Sequence, residues 1–490
     1  MHRMRGRARL ATVALAIVAA VVAGGCGGGG GGGSGDKAGG SGEPVVLRMA
    51  SAFGDLNDVP AVQDFVSQVK ERSGGNVRIE VVNEWGGYAD DAEQQVVRAV
   101  AAGKADLGWA GARVFDTMGV TSFQALQAPM LIDSYALEHA VVTSDLPGQM
   151  LQGLTKVGVR GLGVLGDGLR QPIAVKHPVL GVGDWRGITF GTAKSQVQAE
   201  AIRALGATPM EIFRRSRNQA LLAGSIGGFE MNLQLYEHSV APPRAPYVTA
   251  NVTLWPLLDV LLANPSRLAR LTGQQHGWLE QAARDAAGRS AALTDRANRD
   301  AQGLKNACQS GARFATASQA DLAALHAAFA PVYASLEQDP QTKAFIQRIQ
   351  ALKQSTPAAA PLAIPAGCTG RAPERPAQHS GTVPAALNGT YRYVLTKEDA
   401  RKGGEPDLSE YPSVVTATLK DGHMDQGPGE PGTTYAVEGD RITFDVPAWG
   451  SSLTFTLSVD GKGNLHLTPV PPMDKGDQFV WSTKVWTKIG

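Results

Sequence analysis

The sequence predicts a two-lobed α/β protein with a hinge cleft and a long spanning helix, followed by a small all-β, barrel-like domain. Three observations carry that reading. Strand-like and helix-like runs alternate from Val45 to Ala110, and again from Leu162 to Glu230. An alanine-rich helical pattern extends from Gln274 to about Cys308. From about Ala386 the composition turns to short β-prone runs separated by tight-turn residues. A chain of 490 residues with 43% hydrophobic content is long enough for two or more cores.

The elements follow in order. Val45–Ala50 (VVLRMA) reads as a strand. In Pro60–Arg72 the residues Val62, Phe65, Val66 and Val69 recur at helical spacing, and Ser73-Gly74-Gly75 ends the helix. Val77–Val82 is a second strand, Asp90–Ala102 a second helix stopped by Gly103, and Ala105–Ala110 a third strand. Such alternation implies a parallel sheet with helical crossovers. The pattern returns with strands at Leu162–Leu165, Ile188–Phe190 and Ser225–Glu230, and helices at Ser195–Leu205 and Asn218–Ala223. Tyr247–Leu254 alternates apolar and polar residues and predicts a half-exposed strand that returns to the first sheet. A chain that leaves one lobe and comes back makes two lobes with a cleft between them. Gln274–Cys308 reads as one helix roughly 50 Å long at ~1.5 Å per residue, enough to lie across both lobes. Asp321–Ser355 reads as another helix.

Residues 356–385, rich in Pro and Ala, predict a linker between a domain at 44–355 and one at 386–490. In the latter, strands are expected at Thr390–Leu395, Val414–Leu419, Thr433–Val437, Arg441–Val446, Leu453–Val459, Asn464–Thr468 and Phe479–Thr483. Asp-Gly at Asp421-Gly422 and Asp460-Gly461 marks hairpins.

The N-terminus reads as a targeting segment. Arg3, Arg5, Arg7 and Arg9 precede an apolar run from Leu10 to Ala23, too short for a comfortable membrane span. Val22-Ala23-Gly24-Gly25-Cys26 resembles a lipoprotein processing site, with residues 1–26 a signal peptide and Cys26 acylated. Residues 27–43, mostly glycine, then form a flexible tether. Setting Cys26 aside leaves Cys308 and Cys368, an even pair that predicts a disulfide in an oxidising compartment. The expected place is the outer face of the cell membrane, held by lipid. Lys and Arg (46) nearly balance Asp and Glu (45), which argues against a nucleic-acid partner.

Catalytic signatures do not emerge from the sequence. It contains no H-E-x-x-H, no G-x-x-x-x-G-K-[ST] and no Cys-x-x-Cys. Ala223-Gly224-Ser225-Ile226-Gly227 lacks the first glycine of a nucleophile elbow and precedes a strand. The expectation is a binding protein, not an enzyme, with no cofactor and no metal.

Residues 45–350 resemble the solute receptors of TRAP (tripartite ATP-independent periplasmic) transporters. Lys70–Val77 (KERSGGNV) is similar to that family's "EKSGGKV", Val97–Leu107 (VRAVAAGKADL) to "LEALQAGAIDM" and Ala128–Asp133 (APMLID) to "LPFLFRD". Asp167–Gln171 (DGLRQ) is similar to "NGFRQ", Asp184–Phe190 (DWRGITF) to "DLKGLKI" and Ala204–Pro209 (ALGATP) to "ALGANP". The resemblance implies a periplasmic-binding-protein-like fold that closes on a small organic ligand and delivers it to membrane subunits of a transporter. It also implies a pair of arginines for the ligand's carboxylate, since a guanidinium offers a two-pronged hydrogen bond. One of them survives as Arg170. The other follows the "DLKGLKI" block, where this chain has Gly191. The family's "DGQEN" is reduced to Gly227-Gly228-Phe229-Glu230-Met231, which keeps Glu230. Gly191 is expected to enlarge the pocket. Arg170 and Glu230 together suit a polar, neutral or zwitterionic ligand better than a dicarboxylate, unless Lys194 or Arg113 rebuilds the clamp. Phe53, Asn57 and Asp58, Trp85 and Tyr88, Trp109 and Arg113, and Phe213 are further pocket candidates by their places after strands.

Leu387–Arg392 (LNGTYR) and Phe479–Ile489 (FVWSTKVWTKI) resemble the opening and closing of small β-domains in actinobacterial transport lipoproteins. Two other functions remain open at this point: the receptor of an ATP-driven importer, or a ligand sensor or scaffold without transport.

Overall fold

A computed structural model describes residues 44–490 except 55, 57–58, 238, 240, 291–292, 359–360, 372–381, 404–410, 427–432, 447–450, 472 and 474. The proposed processing site, tether, Asn57 and Asp58 lie outside the described residues. Among the described residues no helix is long and apolar enough to cross a membrane.

The α/β part contains β1 (Val45–Ala50), β2 (Val77–Val82), β3 (Leu107–Gly111), β4 (Arg160–Ala174), β5 (Thr189–Thr192), β6 (Thr208–Glu211), β7 (Gly228–Met231), β8 (Tyr247–Thr249), β9 (Trp255–Ala263) and β10 (Arg313–Ala315). Their order is β2-β1-β3-β9-β4-β7-β5-β6, with β8 pairing both β4 and β10. β1 runs parallel to β2 and β3, as the helical crossovers Pro60–Arg72 and Ala92–Ala101 require. β4 is the strand shared between lobes. Its residues Arg160–Arg170 pair with β9, and Gln171–Ala174 pair with β7. The fold is thus a two-lobed, periplasmic-binding-protein-like one.

The returning strand differs from expectation. Tyr247–Leu254 supplies only β8, at the second lobe. The first sheet is completed by β9, which is buried at all nine residues between β3 and β4. A strand covered on both faces carries a continuous apolar run, not an alternating one.

The long helical pattern appears as helices Gly273–Ser290 and Leu293–Gln309. The first packs on Pro60–Arg72 and β4, the second on the helix Leu233–Glu237, so the stretch spans both lobes. The helix expected at Asp321–Ser355 is three: Gln319–Ala328, Ala330–Leu336 and Pro340–Ser355. Pro331 and Pro340 each open a new helix, where the missing N–H is not needed. Cys308 and Cys368 form the disulfide, closing 60 residues. Leu362 and Ile364 of the expected linker pack on the second-lobe core, which includes Phe229 and Tyr236.

The C-terminal part is a nearly closed antiparallel sheet of β11 (Gly389–Leu395), β12 (Ser413–Lys420), β13 (His423–Asp425), β14 (Thr433–Glu438), β15 (Arg441–Val446), β16 (Ser451–Val459), β17 (Leu465–Pro469) and β18 (Thr487–Lys488). Leu465 of β17 and Trp486, just before β18, exchange backbone hydrogen bonds at 2.9 and 3.0 Å, linking the two edges of the sheet. The strand expected at Phe479–Thr483 is instead the end of the helix Lys475–Ser482. Phe479 and Trp481 serve as buried anchors of the aromatic core, and Thr487–Lys488 does the pairing.

Candidate ligand-binding cleft

Arg170 is the last residue of β4 paired to β9, opposite Trp255, and Gln171 is the first paired to β7. The side chain therefore starts where the lobes meet. Arg170 Nη1 donates to the Glu230 carboxylate and, at 3.1 Å, to the Glu230 carbonyl. Both residues are buried. A buried pair of this kind needs its remaining lone pairs satisfied. Thr192 Oγ1, at the end of β5, lies 3.4 Å from Glu230 Oε1 and donates to Gln198 Oε1 at 3.1 Å.

Gly191 is buried in β5, paired with Met210 on one side and Phe229 on the other. A Cβ there would lie 3.1 Å from Ile212 Cδ1, 3.3 Å from Ile226 Cδ1 and 3.5 Å from Phe229 Cβ. The space expected beside Gly191 is thus filled by apolar side chains, and the glycine permits their close approach.

Phe53 stacks on Trp109 with ring centroids 4.5 Å apart and meets the Phe213 edge at 5.6 Å. Phe213 comes from the second lobe, and its N–H donates to Asp90 Oδ1 of the first at 2.9 Å. Trp109 is buried, and its Nε1 finds no hydrogen-bond partner among the described residues. Trp85 is half-buried against the core. Tyr88 donates to Glu84 at 2.7 Å.

The expected substitutes for a clamp sit elsewhere. Arg113 is held in a buried ion pair with Glu93, which also accepts from Gly111 N at 2.8 Å. Lys194 is exposed. The arginines that line this region instead come from the helix Arg214–Leu222. Arg214 Cζ lies 4.6 Å from the Phe53 ring centroid, Arg215 Cζ 5.2 Å from that of Tyr88, and Arg217 Cζ 5.4 Å from that of Phe229. Burial pushes the Arg217 guanidinium down to about 9, with Arg170 and Arg214 adding to the shift and Glu230 opposing it. Nearby, burial pushes the Asp167 carboxyl up to about 7 and that of Asp259 well above its usual range. The signal for these arginines was the run Arg214-Arg215-Ser216-Arg217. Sequence reasoning missed it by starting the helix at Asn218.

A second set of contacts holds the lobes together. Asp116, after β3, accepts from Ser195 Oγ at 2.6 Å and Val197 N at 3.1 Å, at the start of the helix Gln196–Ala204. Gln198 Nε2 donates to Gln127 at 2.8 Å. Among the described residues no three His, Cys, Asp or Glu side chains gather as a metal site.

Residues 57–339 match the model of the bacterial extracellular solute-binding proteins, family 7 (DctP). The chain belongs to this family. As a family 7 protein it is a solute-binding receptor of the TRAP type. Its fold is similar to that of a TRAP periplasmic solute-binding protein from Xanthobacter autotrophicus Py2 with bound β-D-galacturonate. The TM-score is 0.55 and identity 21%, over 62% of this chain and 99% of that one. A second is from Polaromonas sp. JS666, bound to D-erythronate, with TM-score 0.56 and 18% identity over 64% and 100%. The uncharacterized protein YiiZ of Salmonella typhimurium is 23% identical over 244 residues, which is 48% of this chain and 71% of that protein.

Proposed function

We propose that this family 7 protein is a lipid-anchored extracytoplasmic receptor that captures a small polyhydroxy acid between its lobes and presents it to TRAP membrane subunits. The observation that carries the reading is Arg170, braced by Glu230 at the strand shared between the lobes. Phe213 and Arg214 of the second lobe meet Phe53 of the first, so Phe53, Trp109 and Phe213 give one wall. Rings of this kind suit the apolar face of a sugar-like ring, and buried polar groups fix its orientation. Galacturonate and erythronate in the two similar structures are the guide to ligand class. The anchor rests on Cys26 and the glycine tether after it.

Thermal melts of ligand-stripped protein with D-galacturonate, D-erythronate, D-galactose and erythritol test the ligand class. At least one acid should raise the melting temperature and the neutral compounds should not. A shift from the neutral compounds alone would refute the acid assignment. For the anchor, wild type should fractionate with membranes and Cys26→Ala should not; equal partition of both into the soluble fraction would refute it.

A further inference from the structure

The geometry points to Arg217, from the helix Arg214–Leu222, as the residue that holds the ligand's carboxylate in place of the arginine missing at position 191. This rests on the receptor reading above. Phe229 pairs directly with Gly191 across β5 and β7, and Arg217 lies over the Phe229 ring. The guanidinium therefore lies over the ring of the residue paired with position 191, reached from a helix instead of a strand end. Arg170 and Arg113 each have a carboxylate partner. Arg217 is half-buried, and among the described residues its side chain makes no hydrogen bond and no ion pair. Its guanidinium is depressed by burial, the mark of a cation held without its counter-ion. An anion arriving there would relieve that cost.

The charges around it favour an anion: Arg170 and Glu230 pair with each other, and Arg217 is positive beside them with Arg214 near enough to add to its depression. Residues 214–217 also supply Arg214 over Phe53, so the same turn of helix touches the aromatic wall.

Calorimetry of ligand-stripped wild type, Arg217→Gln, Arg217→Lys and Lys194→Gln with D-galacturonate, D-erythronate, D-galactose and erythritol tests this. One acid should bind wild type, and Arg217→Gln should weaken it about thirtyfold to a hundredfold. Arg217→Lys, which keeps charge but loses the planar fork, should fall between, and it carries the test if Arg217→Gln does not fold. Lys194→Gln should match wild type. An acid bound equally by wild type and both Arg217 variants, or weakened by Lys194→Gln instead, overturns the inference and leaves the receptor reading standing. A neutral compound bound as tightly as its acid does the same. Silence from all four compounds on wild type rejects both.

Discussion

Asp116 shows how one carboxylate can serve both capping and closure. It receives hydrogen bonds from Ser195 Oγ and Val197 N of the other lobe. Burial pushes its carboxyl up to about 6, against the opposing pull of Ser195 and the backbone N–H groups. A folded value above the unfolded one means that the native state holds the proton more tightly. The associated stability is fully present below about pH 4 and is lost as pH rises through 6. Asp116→Asn keeps an acceptor and removes the titration. Melting curves should show the variant gaining on wild type between pH 4.5 and 7.5; a gap that does not change with pH would contradict this. Asp116→Ala strands two donors and should cost about 1–3 kcal/mol in denaturant unfolding. At Gly191, an added side chain must displace Ile212 and Ile226. Gly191→Arg should therefore lower the melting temperature without tightening acid binding, because restoring the family's residue does not restore its space.

At the scale of elements, the disulfide has the clearest consequence. Cys308 ends a helix and Cys368 lies in the short turn Ala366–Cys368, with Leu362 and Ile364 laid on the second-lobe core between them. Cys308→Ser with Cys368→Ser should cost up to about 4 kcal/mol under the chain-entropy description, and should open the residues before Cys368 to protease. Unchanged stability would show that the apolar contacts alone hold that segment. β1, the helix Pro60–Arg72 and β2 were legible to the residue, since period and turn glycines agreed there. β9 was missed because both its faces are covered and its pattern carries no alternation. Phe479–Thr483 misled because its alternating aromatics are anchors for the barrel core from a helix, a tertiary demand that overrides local preference. In the cleft, Arg170 and Glu230 could be named from motifs. That they pair with each other could not, because sixty residues separate them and only the β4–β7 register brings them together. Arg217 was hidden by a helix boundary placed four residues late.

At the scale of the molecule, the two parts have separate cores. The aromatic core of Phe444, Phe455, Trp481 and Trp486 shares no residue with those of the α/β part among the described residues. We propose that the β part folds alone, beginning at Thr382, whose carbonyl accepts from Val437 N at 2.9 Å. A fragment of 382–490 should give a β-type circular dichroism spectrum and a cooperative melt, and a disordered spectrum would refute it. The two parts should also differ in pH response. Burial pushes Glu138 up to about 7 and Asp300 to about 6 in the α/β part, so its stability should fall as pH rises from 4.5 to 7.5. In the β part, hydrogen bonds hold Asp399 and Asp460 below their usual range, through Lys484 and Asn464 first. Their contribution is present above about pH 4 and lost only in stronger acid.

We propose that the cleft is made for one small acid. Native mass spectrometry of the full chain, purified without unfolding, addresses it most directly. A 1:1 adduct is expected whose released molecule carries a single carboxylate and several hydroxyls, and which is lost from Arg217→Gln. A released molecule with no acidic group, or one retained undiminished by Arg217→Gln, would contradict it.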